Sequence, residues 1–373
     1  MRLYVTNAAT SSTTATLNGS VLVLIQFDVC EELRLDRLQT VKEGAVQQKP
    51  KMKHAAPAYV RYERPPVVEP LQPLLLEGGE RLEGEIKYYD YGVVSVILHL
   101  PFAGDWNNLV HLASRWVWDV DFASKAEPVV RERLSQCTDA MKRPYARWLS
   151  EDYFIFHVNQ IEENPAAADL IRDHALEIAQ VVRGDRLQLS PGEVNEVLHS
   201  QISYYANDAT VIGWNAAFLY DSTAGAETAI QLLEYANSQL LEFRHYDELL
   251  TEILDRAYDL LEQRTGFLSR WRMAKSARNL HTTLLDVAEL TERADTAIKF
   301  LSDMFAARLY RLVAAKVGVP DYKELVSRKV KTADDLYNYM VDQFNQSRAF
   351  FLEFTVVLIL LIELFYLFKG KSL

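Results

Sequence analysis

The chain has 373 residues, about two or three structural units in length, and 49% of them are hydrophobic, so it can bury a core. Its formal net charge of −11 excludes the chain as a whole from the nucleic-acid-binding proteins, so any basic function has to come from a local patch. The two cysteines, Cys30 and Cys137, lack the spacing of a zinc or thiol redox motif. So few cysteines disfavour a secreted disulfide scaffold and fit a reducing cytoplasm.

The first part of the chain, up to about residue 222, mixes predicted strands and helices. Residues 1–19 contain one Arg and no apolar signal-peptide core, so we expect a disordered N-terminus, with a transit peptide as the alternative. Strands are predicted at 20–27, 81–89, 92–100, 153–160 and 210–220, helices at 31–41, 105–118, 128–142, 166–183 and 191–205, and a Pro- and Lys-rich loop at about 42–73. This mixture predicts an α+β domain over residues 20–222.

Beyond residue 223 the pattern is wholly helical. Apolar residues recur at three- and four-residue spacing from Leu233 to Leu261 and again from Leu280 to Ala315, which is typical of coiled-coil seams. Asp247 occupies one position in the first seam. Joined at about residues 265–276, two such helices predict a long, coiled-coil-like antiparallel hairpin that forms a stalk over 223–331. Two ordinary bundle helices are the alternative.

The last helix is predicted to begin near Thr332 and to run through a juxtamembrane part, 332–348, into a transmembrane helix at 349–368. That stretch is long and apolar, has aromatic residues at both ends, and is followed by a short tail, 369–373. Because no signal peptide precedes it, we expect a tail-anchored, single-pass protein with a cytoplasmic body. The membrane is then the bacterial inner membrane in a prokaryote, or a mitochondrial or other organelle membrane in a eukaryote. A buried core helix is the alternative.

Two acids interrupt the predicted span. Glu353 lies near one interface, whereas Glu363 lies deeper, where a carboxylate is costly unless it is protonated or paired. Together with Asp247 in the apolar seam, Glu363 predicts a homo-oligomer in which this acid faces another copy of the same helix. A protonated acid that the span merely tolerates is the alternative.

A run of cations lies at the tip of the predicted hairpin. Between Glu262 and Asp286 the chain has no acid, and aromatic and apolar residues accompany the basic ones. The basic residues that form this patch are Arg264, Arg270, Arg272, Lys275 and Arg278. Such a patch suits anionic lipid or RNA. A solvated turn whose cations pair with acids elsewhere is the alternative interpretation.

The sequence contains no Walker A loop, Gly-x-Ser-x-Gly, Cys-x-x-Cys or His-Glu-x-x-His motif. Glu-x-x-His occurs at Glu196/His199 and at Glu242/His245, and two such pairs on facing helices build a di-iron site. Both pairs lie largely off the apolar stripes of their predicted helices, whereas metal ligands in a bundle project inward. We therefore predict no catalytic residue, no metal and no cofactor.

Two short motifs resemble those of the "required for meiotic nuclear division" family. One is Tyr89-Asp90-Tyr91-Gly92, followed by two valines, in a predicted hairpin; the other is Leu352-Glu353-Phe354 with Glu363 ten residues after Glu353. The resemblance implies a membrane-bound, non-enzymatic protein without catalytic residues. Eukaryotic members are mitochondrial or otherwise membrane-associated, and the mitochondrial ones support organelle translation.

Taken together, these features predict a membrane-anchored, non-enzymatic scaffold or interaction protein. Its predicted partners are the lipid bilayer, a second copy of the chain, an unidentified protein, and anionic lipid or RNA at the basic patch. The competing hypothesis is an enzyme, metal-dependent in one version, with an unrecognised site in the α+β domain.

Overall fold

The structure, a computed structural model, describes residues 16–41, 46–47, 65–262, 282, 284–285, 287–288, 304–368 and 370. Its strands are β1 (Leu17–Leu33), β2 (Val46–Gln47), β3 (Val67–Leu75), β4 (Arg81–Tyr88), β5 (Val93–Gly104), β6 (Met141–Ile161), β7 (Gln201–Ile202), β8 (Ala209–Ile212) and β9 (Ala216–Tyr220). Its main helices are α1 (Leu35–Val41), α2 (Trp106–Asp119), α3 (Phe122–Ser135), α4 (Ala167–Asp173), α5 (Ala175–Arg183), α6 (Pro191–His199), α7 (Thr223–Glu262), α8 (Met304–Val317) and α9 (Val319–Phe368). The fold is mixed α+β.

The described strands form one nine-stranded sheet in the order β2-β3-β4-β5-β1-β6-β9-β8-β7. Neighbouring strands run antiparallel except β6 and β9, which pair in parallel. The long strands β5, β1 and β6 form the middle of the sheet. Val21–Phe27 of β1 is buried at every position, which is the pattern of a strand covered on both faces.

One face of the sheet is apolar and packs against α2, α3 and α5 in the main core of the protein. Alternate residues of β1, such as Val23 and Ile25, point into this core. Asp105 places α2 over the sheet, because its carboxylate accepts a hydrogen bond from the backbone N–H of Asn108 at 2.8 Å and caps the helix. Trp116 of α2 is fully buried. Each fully buried large side chain of this kind contributes about 1.5–3 kcal/mol of burial free energy.

The opposite face combines apolar and polar side chains, and α7 up to Glu242 covers it. On β1 this face includes the buried residues Leu22 and Leu24, followed by Gln26 and Asp28, which are also buried. Leu241 of α7 packs against Val93 of β5 in a small apolar cluster. The helix therefore rests on a surface that is only partly hydrophobic.

The chain divides into two compact units, Met1–Glu242 with Ala297–Pro320 and Phe243–Thr296 with Asp321–Leu373. The domain boundaries predicted from the sequence stay predictions. In the second unit, α7 packs against α9 through an apolar cluster comprising Leu254, Ala257, Ala333, Leu336 and Met340.

A polar contact accompanies that helix packing. Lys329 Nζ lies 2.5 Å from Asp247 Oδ1 and donates to Thr251 Oγ1 at 2.5 Å. From this contact to the apolar cluster, residue numbers increase along both helices. The two helices, α7 and α9, therefore run parallel there. Asp247, whose place in an apolar seam suggested a partner on another copy, has a partner within its own chain.

The predicted transmembrane helix is wrong. In the part of the chain that the structure describes, no helix combines the length and the apolar character needed to cross a membrane. The predicted span, 349–368, lies in α9, and Glu353 and Glu363 leave Phe354–Ile362, nine residues, as its longest run without an acid. A bilayer core requires about 20 predominantly apolar residues. The predicted fold class is thus wrong in its C-terminal element. Membrane anchoring, the tail-anchored topology and the single-pass localisation are wrong with it.

Some predicted element boundaries also differ from the structure. The helix expected at 128–142 begins at Phe122, because the Asp121 carboxylate accepts a hydrogen bond from Ser124 N at 2.9 Å, and ends at Ser135, before β6. The helix expected at 31–41 begins later, at Leu35, since residues 31–33 still belong to β1. The tip of the predicted hairpin, about residues 265–276, lies outside the described residues.

Candidate functional site

The first unit buries a group of polar side chains between the sheet and α7. We call this group the polar layer, and its members are Gln26, Lys87, Ser95, Glu234 and Asn237. They are between 0% and 7% exposed. Strand register sets Gln26 of β1 opposite Ser95 of β5, and Ser95 opposite Lys87 of β4, so these three form one row. Glu234 and Asn237, three residues apart on α7, share the helix face that covers the row.

Hydrogen bonds tie the strand row to the helix. Lys87 Nζ donates to Glu234 Oε2 at 2.9 Å and lies 3.4 Å from Glu85 Oε1. Gln26 Nε2 donates to the backbone oxygen of Glu234 at 2.9 Å, although the two residues are 208 positions apart in sequence. Asn237 Nδ2 donates to the backbone oxygen of Leu233 at 2.8 Å. Glu234 is therefore held above the row by contacts on either side of Ser95.

The charged side chains of the polar layer, Lys87 and Glu234, form an ion pair. Burial disfavours the ammonium form of Lys87, but Glu234 and Glu85 outweigh that effect and raise the pKa of Lys87 above its ordinary value. A lysine acts as a nucleophile or base when its pKa is lowered, and here the shift has the opposite sign. The arrangement suits a structural ion pair.

The motif Tyr89-Asp90-Tyr91-Gly92 forms the turn between β4 and β5, beside the polar layer. Gly92 has a φ of +90°, and a Cβ there would collide with the backbone oxygen of Cys30. Tyr91 Oη lies 3.0 Å from Ser238 Oγ of α7, and burial raises the pKa of Tyr91 well above its ordinary value. The motif thus meets a local turn requirement and adds a contact to α7.

Four atoms of the polar layer have no hydrogen-bond partner among the described residues: Gln26 Oε1, Ser95 Oγ, Glu234 Oε1 and Asn237 Oδ1. An unpaired buried polar group is costly, and such groups are rare in native proteins. The polar layer is therefore the part of the first unit with the most hydrogen-bonding capacity still to satisfy.

The other candidate residues from the sequence lie apart from this layer. Glu353 and Glu363 are exposed side chains on α9. The basic patch, Arg264, Arg270, Arg272, Lys275 and Arg278, lies outside the described residues, so its role stays a prediction. Burial raises the pKa of the Cys30 thiol to about 12, which keeps it protonated.

A metal site needs several ligand side chains that lie close together. In the described part of the chain, no group of three or more His, Cys, Asp and Glu side chains is placed to hold a metal ion. Glu196, from one of the two Glu-x-x-His pairs, lies 3.3 Å from Lys316 of α8.

A second feature that could serve a function is the end of α9. We call Leu352–Phe368 the C-terminal apolar segment. Its large apolar side chains are exposed along the whole length, between 41% at Tyr366 and 83% at Phe368. Contiguous exposed apolar surface of this kind marks an interaction site or an aggregation liability.

Sequence reasoning missed the polar layer, although one signal was present. In β1 the apolar residue Leu24 is followed, on the same face, by Gln26 and Asp28. Polar residues at alternate positions of a central strand indicate either a solvated face or a polar contact inside the fold. Only the placement of α7 distinguishes these two readings.

Comparison with known proteins relates the chain to an archaeal family. The model of the family "Uncharacterized protein MJ0711, N-terminal domain" matches residues 18–227. The uncharacterized protein MJ0711 of Methanocaldococcus jannaschii is 18% identical over 233 residues, which cover 62% of this chain and 70% of that protein. No solved structure matches.

The resemblance to the "required for meiotic nuclear division" family is wrong, because the family model that matches is a different one. The motifs behind that resemblance are short, and the positive φ of Gly92 accounts for the glycine in one of them by local geometry. The matched region, 18–227, extends from β1 into the start of α7 and contains the strand row of the polar layer. With more than half of its residues matched, this chain belongs to the MJ0711 N-terminal domain family.

Proposed function

We propose that this protein is a non-enzymatic interaction protein that associates with a second copy of itself through the C-terminal apolar segment. The observation that carries the proposal is the exposure of that segment on every side of the helix. Consecutive residues Val356–Leu361 are each between 46% and 57% exposed. Monomeric soluble proteins rarely expose contiguous apolar patches of more than a few hundred Å².

The segment exposes a large apolar area. A half-exposed large apolar side chain presents on the order of 100 Å², so the segment offers on the order of 1,000 Å² around the whole helix. One facing partner covers about half of this, compared with about 800 Å² that each partner buries in a standard interface. The area supports association between proteins at the smaller end of interface sizes.

A second copy is the partner that matches the segment in chemistry. Two copies of one apolar helix are complementary to each other, and an interface between identical surfaces closes without further growth when it has two-fold symmetry. Glu363 lies between apolar neighbours, and a carboxyl group in an apolar helix contact is best tolerated when the facing helix supplies a partner. Under this proposal, Glu363 lies at the contact between copies, where a hydrogen bond would contribute about 1 kcal/mol.

The competing proposal, an enzyme, has less support among the described residues. Three side chains with reactive potential are engaged: Lys87 is paired with Glu234, the Cys30 thiol is buried, and His157 Nε2 lies 2.8 Å from the backbone oxygen of Asp221. Metal analysis of the purified protein tests the alternative. A stoichiometric metal that is lost in His199→Ala and His245→Ala would favour the enzyme.

Disulfide crosslinking tests self-association. The variant Leu364→Cys places a thiol beside Glu363, while Cys30 and Cys137 are buried and do not compete. Oxidation is expected to yield covalent dimers, and Glu363→Leu in the same background is expected to lower their yield, because it removes the hydrogen bond between the copies. The control is Ser327→Cys, an exposed position on the same helix outside the segment, which is expected to yield few dimers.

Sedimentation velocity of the full chain gives the number of associated copies. A monomer at micromolar concentration, with equal crosslinking at positions 364 and 327, would contradict the proposal. So would a monomer that co-sediments with phospholipid vesicles through the segment, since the partner would then be lipid instead of a second copy.

A further inference from the structure

Three of the four unpaired atoms in the polar layer belong to neighbouring residues. Gln26 and Ser95 are cross-strand neighbours, and Lys87 is the neighbour of Ser95 on the other side. Glu234 joins the two flanking side chains, because its backbone oxygen accepts a hydrogen bond from Gln26 and one of its carboxylate oxygens accepts one from Lys87. The residues that carry Gln26 Oε1, Ser95 Oγ and Glu234 Oε1 are 0%, 0% and 1% exposed.

The existing contacts fix what each of these atoms can do. Gln26 uses its amide nitrogen toward Glu234, so its oxygen remains as an acceptor. Lys87 occupies one carboxylate oxygen of Glu234 and leaves the other as an acceptor. Ser95 Oγ carries one hydrogen that it can donate. Two acceptors thus face a single donor, and a direct bond from Ser95 to either acceptor leaves the other one unsatisfied.

We infer that a water molecule is bound inside the fold between β1, β5 and α7. It accepts a hydrogen bond from Ser95 Oγ and donates to Gln26 Oε1 and Glu234 Oε1. This satisfies all three atoms, since a water brings the two hydrogens that the acceptors need. Asn237 Oδ1, carried by a residue one turn further along α7, is not part of this site, since a water has only two hydrogens to donate.

A metal cation is the other ligand that oxygen atoms of this kind bind. The ammonium group of Lys87 lies 2.9 Å from the second oxygen of the same carboxylate and would repel a cation at the first. A neutral ligand that donates hydrogen bonds avoids this repulsion. The charge distribution therefore selects water, which bridges the sheet to the helix and leaves the Lys87–Glu234 pair intact.

A high-resolution crystal structure of the full chain tests the site directly. The expected result is a density peak about 2.7–3.2 Å from Gln26 Oε1, Ser95 Oγ and Glu234 Oε1. Direct hydrogen bonds among these three side chains, with no peak between them, would overturn the inference.

A double-mutant cycle in solution tests the same site through Ser95→Ala and Gln26→Leu. Because both side chains bind one water, the loss in melting temperature of the double variant is expected to be clearly smaller than the sum of the single losses. Ser200→Ala is the matched control, since Ser200 is 1% exposed, has an unpaired hydroxyl and immediately precedes β7, four places from β1 in the sheet. Its effect is expected to add to that of Gln26→Leu. The inference would be overturned if the loss from Gln26→Leu added to the loss from Ser95→Ala as fully as it adds to the loss from Ser200→Ala.

A salt series distinguishes water from a cation. The melting temperature of the full chain is expected to be the same in sodium, potassium and choline chloride at equal ionic strength. A rise specific to one metal ion that disappears in Ser95→Ala would show that a cation occupies the site.

Discussion

Replacing Lys87 with Met is expected to destabilise the first unit strongly. The Lys87 and Glu234 side chains are 9% and 2% exposed, so solvent screens their interaction little. Removing the cation leaves a buried carboxylate without its counter-ion, and breaking a buried pair in this way costs about 3–5 kcal/mol. The exposed Glu85, which also approaches Lys87, adds little to this figure because its side chain is 37% exposed.

The expected loss is large compared with the stability of a typical folded protein, about 5–15 kcal/mol. Urea denaturation at neutral pH measures it as a change in the free energy of unfolding. The matched control is Lys125→Met, whose ion pair with Glu77 spans 3.6 Å between side chains that are 32% and 96% exposed. That pair is expected to contribute less than about 1 kcal/mol.

The double variant Lys87→Met, Glu234→Met separates the cost of an unpaired charge from the net contribution of the pair. Replacing both partners with apolar residues of similar size is often neutral or stabilising, so this variant is expected to recover most of the loss. The reasoning would be refuted if Lys87→Met cost no more than Lys125→Met, or if the double variant were less stable than Lys87→Met alone.

Three further predictions concern the rest of the fold. Burial lowers the pKa of His157, so the folded state takes up its proton less readily than the unfolded chain. The free energy of unfolding should therefore fall as the pH drops below about 6.5. Urea titrations should show a smaller fall in His157→Gln. Gly92→Ala should lower the stability of the fold more than Gly79→Ala, because both glycines have positive φ but only a Cβ at Gly92 meets backbone. Thermal unfolding compares the two variants, and equal losses of stability would exclude the collision. Asp247→Ala removes the contact with Lys329 and should lower the free energy of unfolding, measured in urea, by about 1 kcal/mol. Arg256→Ala should change it by almost nothing, because the pair of Arg256 with Glu252 is largely exposed.

Several local features of the fold were readable from the sequence. The Asp105 carboxylate caps α2, and the Asp90-Tyr91-Gly92 turn joins two antiparallel strands. These features depend on the conformation of a few consecutive residues, so nearby side chains specify them. Hydropathy along α9 is also a local property, but on its own it led to the wrong prediction of a transmembrane helix.

The family assignment shows the limit of short motifs. Tyr89-Asp90-Tyr91-Gly92 suggested one family, whereas the match over residues 18–227 identifies another. A four-residue turn carries a conformational requirement that unrelated proteins share. The match to the family model extends over residues 18–227, so it rests on far more positions than the two short motifs.

Local sequence patterns specify where many strands and helices lie, because alternation and capping act over a few residues. The meeting of Gln26, Ser95, Lys87 and Glu234 depends instead on how distant segments pack. The bond from Gln26 to Glu234 joins residues 208 positions apart, and no local pattern encodes such a pairing. Which polar residue of a strand faces solvent and which is buried depends on the helix that covers it. The ion pair and the inferred water site exist because α7 lies across β4, β5 and β1, where an unpaired polar group cannot turn to solvent and must find its partner inside the protein.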